Sequence, residues 1–461
     1  MSATQNDQAI DPVARVETTA TDPAQVIQSA PMSRVQFAIL INLFVLYALD
    51  GFDVLSIAFA LPGIRSDWGV SSAALGVAIS LGLLGTGLGS LCVAPLSDHW
   101  GRKPTILLCL GAMTGGMFAS AFCHNIEALS AARLVTGIGI GGLLPAVSAL
   151  AAEYSNINVR SRAVAFVSIG FPAGGFFGGG VAALLLSWAD WQAIFLFGAA
   201  ASAVMVAVTW RLVPESVEFL AARRPPLALA RINRIFARLQ LPALDSLPAV
   251  ESSRSRPSLF QIFTPLLLVT TLTVTLTYTF HNATFYYAVN WLPKLAVDFG
   301  FTSSEAAGIA AWCSAGGIAG AIVIAWLAGK IEVARLTVAT LCASAIALAA
   351  LVHFGGTDLL FLIASIVLGV CIYGGQVSLY ALMMKSFPVH ARATGAGFVT
   401  GVGRLGGILS PAVSGYLFSA GMGNTQVSTI MAFGSVIGAA ALLLGGLWMS
   451  GSRRPDGAST A

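Results

Sequence analysis

The chain has 461 residues, of which 56% are hydrophobic and 10% are charged, and its mean hydropathy is +0.82. Because an average soluble domain carries about 25% charged residues, this composition excludes an ordinary soluble protein. The net charge of +4 comes from basic residues in the short segments between apolar runs, so it gives no support to nucleic-acid binding.

The segment 1–33 is polar and of mixed charge, without the basic start and short apolar core of a cleaved signal peptide. We expect a disordered cytoplasmic tail here, after which the first apolar run acts as its own insertion signal. Twelve apolar runs of about 20 residues follow, each long enough to cross about 30 Å of hydrocarbon. They lie at about 36–62, 72–97, 104–123, 128–151, 163–187, 191–212, 268–292, 304–328, 334–354, 358–384, 394–419 and 426–449.

These runs predict an all-α membrane protein whose twelve transmembrane helices form two six-helix halves. The predicted bundles span 34–212 and 259–450, with a cytoplasmic linker at 213–258 and a second cytoplasmic tail at 451–461. Inside the linker, apolar residues and arginines alternate at helical spacing, which predicts a short amphipathic helix. Its positions are Ile232, Ile235, Phe236 and Leu239 on one side and Arg231, Arg234 and Arg238 on the other. Such a helix suits either the inner headgroup layer or a plain linker.

Lysine and arginine are concentrated on one side of the predicted topology. With the N-terminus inside, the cytoplasmic segments hold 20 of the 24 basic residues, whereas Arg65 and Lys294 fall outside. Since basic residues favour cytoplasmic loops, this pattern predicts a multi-pass protein with both termini in the cytoplasm. Arg133 and Arg404 fall within predicted spans, where charged side chains are rare.

Two aspartates, Asp50 and Asp53, lie near the centre of the first apolar run. Their spacing, one helical turn, puts both carboxylates on one face of a helix. Charged groups at this depth are costly and tend to mark ion or proton pathways, and two close carboxyls titrate as a pair. We predict that at least one of them carries a proton. The alternative is an acid that only caps or packs, for instance against the fourth helix.

The second half of the chain repeats landmarks of the first half in a nearly constant register. Asp50 and Asp53 in the first half correspond to His281 and Thr284 in the second, and several glycines and prolines keep the same register. Two such halves fit a transporter plan in which the substrate binds near the midplane between them. The alternative is a chance similarity between Gly- and Ala-rich helices.

The six cysteines are scattered through apolar spans without metal-ligand spacing, so we interpret them as small buried side chains. The sequence contains no nucleophile motif, metal cluster or phosphate-binding loop. It therefore predicts neither an enzyme nor a cofactor.

Three motifs resemble those of the major facilitator superfamily. Asp98-His-Trp-Gly-Arg-Lys-Pro is similar to the loop between its second and third helices, Arg133-Leu-Val-Thr-Gly-Ile-Gly to its helix 4 motif, and Pro214-Glu-Ser to the end of its helix 6. The resemblance covers about 34–450 and implies the fold of that superfamily. Gly329 stands where the second-half copy of the loop often keeps an acid, so only the first-half clamp of that loop looks intact.

Further motifs resemble the aromatic acid:proton symporters within that superfamily. They are Asp50-Gly-Phe-Asp, Glu153-Tyr154, Asn290-Trp-Leu-Pro, and Arg392-Ala-Thr-Gly with Gly403-Arg404. The resemblance implies proton-coupled uptake of benzoate-type acids across the bacterial inner membrane. It also implies functional weight on Asp50, Asp53, Arg133, Glu153, Arg392 and Arg404.

Two arginines are candidate partners for a substrate carboxylate, which a guanidinium binds through two parallel hydrogen bonds. Arg404 lies a little over three turns into its helix from Arg392, or roughly 18 Å at about 1.5 Å per residue, which is mid-bilayer. The alternative is a structural arginine paired with an acid such as Asp50. Arg133 lies about one turn from the outer face, and it is either an acid-paired coupling residue or a packing residue.

The ring of an aromatic substrate needs apolar and π surfaces. The candidates are Phe52 in the first span, Tyr286, Asn290 and Trp291 in the seventh, and Gln376 and Tyr380 in the tenth. For each of them the alternative is a lipid-facing or interfacial side chain. His281 matches the depth of Asp50, so it either binds a ring hydroxyl or forms hydrogen bonds within the bundle.

A group of charged residues lies at the predicted cytoplasmic end, too far away to reach a ligand at the midplane. It consists of Asp98, Gly101, Arg102 and Lys103. We expect these residues to form a charge clamp that holds the outward-open conformation. Glu153 and Arg392 lie near the same end and are candidates for the same gate.

We predict a proton-coupled secondary transporter that imports aromatic carboxylates by alternating access, with the substrate, H⁺ and the lipid bilayer as its partners. We expect a monomer. The same aspartates also fit a proton antiporter that exports drugs or organic acids. A sensor that binds aromatic acids without moving them is a third reading, against which the absence of an appended signalling domain argues.

Overall fold

The computed structural model describes residues 22–248, 262–353, 358–388 and 391–451. Within these ranges the chain forms sixteen α-helices and no β-strand, which confirms the all-α fold. The helices are α1 (Pro23–Ser29), α2 (Arg34–Trp68), α3 (Ser72–Leu88), α4 (Ser97–Trp100), α5 (Arg102–Ala121), α6 (Ile126–Glu153), α7 (Arg160–Leu186), α8 (Gln192–Leu212), α9 (Val217–Arg223), α10 (Ala228–Leu239), α11 (Pro265–Asp298), α12 (Ser303–Leu327), α13 (Val333–Leu351), α14 (Asp358–Ser386), α15 (Arg392–Ser419) and α16 (Asn424–Gly451). A π turn at Gly89–Val93 and a 3₁₀ turn at Ala94–Leu96 join α3 to α4.

Ten membrane-spanning segments among the described residues are long and apolar enough to be recognised by length and hydropathy, counting Ser72–Trp100 as one. Two more helices, α11 and α15, have 34 and 28 residues but are less apolar. Their polar content explains this, since α11 holds seven threonines together with His281 and α15 holds Arg404. Both helices pack inside the bundle against other spans, so the described chain has the twelve predicted membrane helices.

Polar residues at the helix boundaries set where the long helices begin and end. Ser33 and Gln36 form a reciprocal capping box at the start of α2, and Thr302 and Glu305 form another at the start of α12. These boxes satisfy backbone N–H groups that have no partner within the helix. At the far end of α2, Gly69 adopts a φ of +60°, a left-handed conformation that glycine tolerates and that stops the helix.

The two six-helix halves pack by the same plan. In the N-terminal half α2 packs on α7 and α3 on α6, and in the C-terminal half α11 packs on α15 and α12 on α14. Between the halves, α3 packs on α15, α7 on α12 and α2 on α11. The centre of the molecule is therefore bounded by helices from both halves.

Successive membrane helices run in opposite directions, so the bundle has two distinct ends. We call the end that holds Arg34, Arg102, Arg160, Arg335 and Arg392 the basic end, and the other the opposite end.

The halves are joined by polar contacts at the opposite end. These are Arg65–Asp298 (3.8 Å), Ala73 N–H to Ser419 Oγ (2.9 Å), Ala412 N–H to Ser80 Oγ (3.0 Å) and Ser304 Oγ–H to the Ala183 carbonyl (2.7 Å). Gly76 and Gly415 let α3 and α15 approach closely here, because a Cβ on either would meet backbone atoms of the other helix within 2.4 Å. We call this set of contacts the seal.

Toward the basic end the two halves separate. Gly397 and Gly401 lie about two turns and one turn before Arg404, and hence on the same face of α15. Apart from atoms of α15 itself, no atom of the described residues lies within 4 Å of a Cβ built on either glycine. Leu91, in the π turn that follows α3, is 72% exposed. The space between the halves therefore opens toward the basic end.

Short helices cover the basic end. Residues 1–21 of the predicted tail lie outside the described residues, as do 249–258 of the predicted linker and 452–461 of the second tail. The remainder of the first tail contains α1, which Asp22 caps and whose Ile27 is buried, so the expectation of disorder is wrong for this part of the tail. The amphipathic helix predicted in the linker is confirmed as α10. Its four apolar residues are buried against the protein, so packing on the bundle accounts for its apolar face.

Candidate functional site

The two aspartates of α2 lie in the middle of the bundle and are fully buried. Among the described residues, none donates a hydrogen bond to either carboxyl oxygen of Asp50 or Asp53. The two carboxyls are close enough to interact electrostatically. Since buried polar groups are nearly always hydrogen-bonded, two adjacent exceptions single out this turn of α2.

Asp53 shares its surroundings with Arg133 of α6. The Nη2 group of Arg133 donates a hydrogen bond of 2.6 Å to the backbone carbonyl of Asp53, and its charge acts on the Asp53 carboxyl. Nη1 lies 3.0 Å from the sulfur of Met117, and the guanidinium lies 5.7 Å from the centre of the Phe195 ring. Arg133 thus bonds to the backbone of Asp53 and packs against Met117 and Phe195 inside the N-terminal half.

Arg133 also reaches the boundary between the halves. A small cavity of about 10 Å³ is lined by Arg133, Thr86 and Gly137 of the N-terminal half and by Asn290 of α11. Asn290 donates to the Tyr286 carbonyl at 2.8 Å, and its own side-chain oxygen is buried without a donor among the described residues. An unpaired acceptor and a guanidinium therefore line the same cavity from opposite halves.

Arg404 crosses from α15 to α3, where the π turn begins. Its Nη1 group donates to the Thr86 carbonyl at 2.9 Å and to Ser90 Oγ at 2.6 Å. Ser90 in turn donates to the carbonyl of Gly141 on α6 at 3.0 Å. A π turn shifts the hydrogen-bond register of a helix and is frequent at functional sites. This one lies beside the Thr86 carbonyl, to which Arg404 of the other half donates. The hydrogen bonds between Arg404 and the described residues all use Nη1, and Nε and Nη2 take part in none of them.

The charge of Arg404 acts on a cluster of polar side chains at the centre of the molecule. It interacts electrostatically with Asp50, Tyr286 and Tyr47. Tyr380, which is 49% exposed, lies within electrostatic range of both Tyr47 and Tyr286. The structure thus brings together an acid and a tyrosine from α2, a tyrosine from α11, one from α14 and an arginine from α15. We call these five residues the central cluster.

A chain of amides extends the central cluster along the C-terminal half. Gln376 Nε2 donates to Asn282 Oδ1 at 2.6 Å, and Asn282 Nδ2 donates to the Gly403 carbonyl at 3.1 Å. Gln376 Oε1 is buried without a donor among the described residues. The hydroxyls of Tyr278 and Tyr380 lie 3.3 Å apart. Gln376 therefore presents an unpaired acceptor beside the cluster.

Two of the aromatic candidates lie inside the halves. Phe52 packs against Gly178 of α7 and Gly198 of α8 and makes an edge contact with Phe197. Trp291 is fully buried, with its ring 5.1 Å from that of Phe418. These contacts place both rings within one half each, away from the central cluster.

His281 likewise forms hydrogen bonds within the C-terminal half, the second of the two readings that the sequence left open. Its Nε2 lies 3.3 Å from the carbonyl of Ile372, which can only accept, so Nε2 carries the proton. Nδ1 then accepts from Ser435 Oγ at 2.9 Å. The ring fits because residue 375 is glycine, since a Cβ at that position would lie 2.7 Å from the imidazole.

The gate candidates of the basic end form a network within the N-terminal half. Arg102 and Glu153 form an ion pair of 2.6 Å. Gly101 has a φ of +105° and ends α4. Glu215, just before α9, accepts from the backbone N–H groups of Arg102 (2.8 Å) and Lys103 (3.2 Å). Its carboxylate thereby caps the first turn of α5, where an acidic group is favourable.

Asp98 and Arg392 take no part in this network. Asp98 is exposed, and none of the ion pairs in the described ranges includes its carboxylate. The Nε of Arg392 is buried without a partner in the described ranges. Lys103 donates from Nζ to the Trp210 carbonyl at 2.6 Å. In this conformation the predicted clamp is therefore assembled around Arg102, and Asp98 stands apart from it.

Four residues with clear positions in these networks were missed in the sequence. Tyr47 lies one helical turn before Asp50 and hence on the same face, which is a readable signal. Glu215 is part of the Pro-Glu-Ser motif. Asn282 and Ser90 carry no such signal, because a single amide or hydroxyl in an apolar helix is common.

The chain resembles known proteins over nearly its whole length. The family model described as Major Facilitator Superfamily matches residues 43–411 and 274–461. A protein named "Gallate transporter" from Pseudomonas putida is 30% identical over 425 residues, which cover 91% of this chain and 94% of that protein. The "4-hydroxybenzoate transporter PcaK" of Pseudomonas aeruginosa is 30% identical over 436 residues, covering 92% and 96%.

Solved structures with the same fold have much lower sequence identity. One described as "Crystal structure of D-xylose-proton symporter" superposes with a TM-score of 0.67 at 15% identity, covering 90% of this chain and 97% of that chain. At this level of identity the match concerns the arrangement of the helices alone.

Proposed function

We propose that this chain, which belongs to the Major Facilitator Superfamily, imports aromatic carboxylates together with protons across the bacterial inner membrane by alternating access. The observation that carries the proposal is the pair of buried carboxyls on α2 without hydrogen-bond donors, set beside arginines that reach the boundary between the halves. The relatives named for gallate and 4-hydroxybenzoate support the substrate class.

The orientation follows from the distribution of basic residues. Because lysine and arginine favour cytoplasmic loops, the basic end faces the cytoplasm and both termini lie there. The seal then closes the outer side, and the central cluster opens inward. The described conformation is accordingly the one from which substrate leaves.

In the proposed site, Arg404 receives the substrate carboxylate. Its Nη1 is fixed by Thr86 and Ser90, so the guanidinium is held in place and offers Nε and Nη2 as a planar pair of donors. The rings of Tyr286 and Tyr380 form the aromatic walls, and the unpaired oxygen of Gln376 accepts from a ring hydroxyl.

Proton coupling is assigned to Asp50 and Asp53. A buried carboxyl without a donor takes up a proton at less cost than it stays ionised. The charge of Arg404, where the substrate binds, favours the ionised form of Asp50, whereas the charge of Arg133 favours the ionised form of Asp53. Substrate that neutralises Arg404 removes the cation that favours ionised Asp50, and this links binding of the anion to binding of a proton.

The clamp acts in the other conformation. When the basic end closes, Asp98 of the 98–103 loop meets the C-terminal half, as its free carboxylate allows. The Arg102–Glu153 pair and the Glu215 cap hold the loop in the shape that this contact requires.

Uptake into proteoliposomes tests the proposal. Purified protein is reconstituted and given labelled benzoate, 4-hydroxybenzoate or gallate, with an imposed pH gradient of either sign. Symport predicts accumulation when the outside is acidic and loss of accumulation on adding a protonophore. Accumulation driven only by the reverse gradient would establish exchange instead, and ligand binding without counterflow would establish a sensor.

Cysteine labelling tests the orientation separately. In a cysteine-free background, Asp190→Cys at the opposite end is expected to react with an impermeant reagent added to intact cells. Arg335→Cys at the basic end is expected to react only after the cells are opened. The reverse result would overturn the orientation without touching the transport proposal.

A further inference from the structure

A basic cleft of about 540 Å³ lies at the basic end of the N-terminal half. The loop before α5, helix α9 and helix α10 form its walls. Its cationic side chains are Lys103, Arg231, Arg234 and Arg238, and His99 also lines it. Neither the clamp nor the central cluster uses the three arginines, so the transport mechanism leaves this concentration of charge unexplained.

The charges in the cleft are poorly compensated. Glu215 is the acidic residue in the lining, and its carboxylate oxygen Oε1 already accepts from the backbone N–H groups of Arg102, Lys103 and Ser216. None of the ion pairs among the described residues includes Arg231 or Arg234, both of which lie in the lining of the cleft. Several cations facing one concave surface bind an anionic group, and phosphate is a common partner of arginine.

The position of the cleft in the molecule indicates a lipid rather than a soluble anion. Helix α5 begins and helix α8 ends at this level, so the cleft lies where the membrane surface meets the bundle. Trp100 and Trp210 flank it with 58% and 62% of their surface exposed, and Leu227 at the start of α10 is 76% exposed. Exposed tryptophan is typical of the membrane–water interface, and basic pockets on the cytoplasmic side of membrane proteins bind lipid headgroups.

We propose that this cleft is a binding site for the phosphate headgroup of an anionic phospholipid of the cytoplasmic leaflet, held by Arg231 and Arg234 of α10. The acyl chains then lie along the exposed apolar side chains at the ends of α5 and α8. Because α10 belongs to the segment that connects the two halves, the lipid ties this connection to the membrane surface.

Lipid titration of the purified full-length protein tests the proposal. Phosphatidylglycerol and phosphatidylcholine with identical acyl chains are added in detergent, and bound lipids are counted by native mass spectrometry. We expect wild type to bind phosphatidylglycerol about tenfold more tightly or better, since basic side chains near an anionic headgroup each contribute severalfold. The variant Arg231→Gln/Arg234→Gln is expected to lose most of that preference.

The matched control is Arg162→Gln/Lys385→Gln, which removes two cations of the same end outside the cleft. It is expected to keep the wild-type preference. If the control lost the preference for phosphatidylglycerol equally, diffuse surface charge would explain the binding and the proposed site would be overturned. A wild type that binds both lipids with equal affinity would overturn it as well. If soluble glycerol phosphate displaced the bound lipid as readily as phosphatidylglycerol does, that result would assign the cleft to a soluble anion and overturn the proposal of a lipid site. Equal thermal stability of the two variants serves as the check on folding.

Discussion

The N-terminal and C-terminal halves place different side chains at equivalent positions of α2 and α11, the first membrane helix of each half. Asp50 and Asp53 of α2 correspond to His281 and Thr284 of α11, and all four are buried. The aspartates have no donors among the described residues, whereas His281 and Thr284 are fully engaged, Thr284 Oγ1 donating to the Met431 carbonyl at 2.7 Å and accepting from a backbone N–H at 2.9 Å.

The arginines show the same division. In the register of the repeat, Arg133 of α6 corresponds to Ser365 of α14, which donates to the carbonyl of Phe361 within its own helix. Arg404 of α15 corresponds in the same register to Pro172 of α7. Each half thus keeps one membrane arginine at a position where the other has an uncharged residue. The duplicated scaffold therefore carries unequal chemistry, with the two buried acids in the N-terminal half and Arg404, which reaches across the boundary, in the C-terminal half.

The largest effect is expected from removing the acids of the N-terminal half. Asp50→Asn or Asp53→Asn should lower proton-driven uptake by at least about 100-fold, because an amide resembles the protonated acid and cannot release a proton. Counterflow of substrate without a gradient should persist in at least one variant. Uptake is measured in proteoliposomes, and full proton-driven uptake in both variants would contradict the assignment.

Exchanging the arginine of the C-terminal half should weaken ligand binding. Arg404→Lys keeps the charge but loses the planar pair of donors, and loss of a charged hydrogen bond costs roughly 1–3 kcal/mol, or about 5- to 150-fold in affinity. Titration of purified protein with benzoate and benzamide measures this. The variant should lose the preference for benzoate. If Arg133→Lys lost it instead, the carboxylate would belong to the N-terminal half.

The packing of His281 in the C-terminal half can be tested at Gly375, which lies against its ring. Gly375→Ala places a methyl group against the His281 ring, and overpacking of this kind costs about 1–3 kcal/mol. Gly401→Ala is the matched control, since no described atom outside its own helix lies within 4 Å of the added methyl group. Thermal unfolding should show a lower midpoint for the first variant and an equal or higher midpoint for the second. Equal midpoints would mean that His281 has room to move.

The smallest effect should come from the link between the halves. Ser90→Ala removes one hydrogen bond to Arg404, and a hydrogen bond contributes about 0.5–1.5 kcal/mol, so benzoate affinity should fall about 2- to 12-fold. In the Arg404→Lys background the same change should have a smaller effect. An equal loss in both backgrounds would show that Ser90 acts independently of Arg404.

The fold could be predicted from the sequence because length and hydropathy determine which segments cross a membrane. Twelve apolar runs gave twelve membrane helices, even though α11 and α15 carry so many polar residues that hydropathy alone misses them. The family resemblance is confirmed as well, since motifs such as Asp98-His-Trp-Gly-Arg combine several residues at fixed spacing. These features are local, so the sequence carries them directly.

The arrangement of the site was harder to predict, because spacing along one helix does not say which neighbour a side chain faces. Phe52 lies within one turn of Asp50 and yet packs on α7 and α8. Trp291 and His281 were both candidates for the site but point into the C-terminal half. Ser90, which accepts a hydrogen bond from Arg404, lies in a π turn that no residue pattern predicts.

The few polar contacts of the seal determine how easily the molecule changes conformation. Three hydrogen bonds and one long ion pair, counted over the described residues, together contribute on the order of 3 kcal/mol. A ligand that binds one conformation about 100-fold more tightly than the other supplies a bias of roughly 2.7 kcal/mol. The two free energies are of the same order, so a ligand with that preference offsets the polar contacts of the seal and shifts the balance between the two conformations.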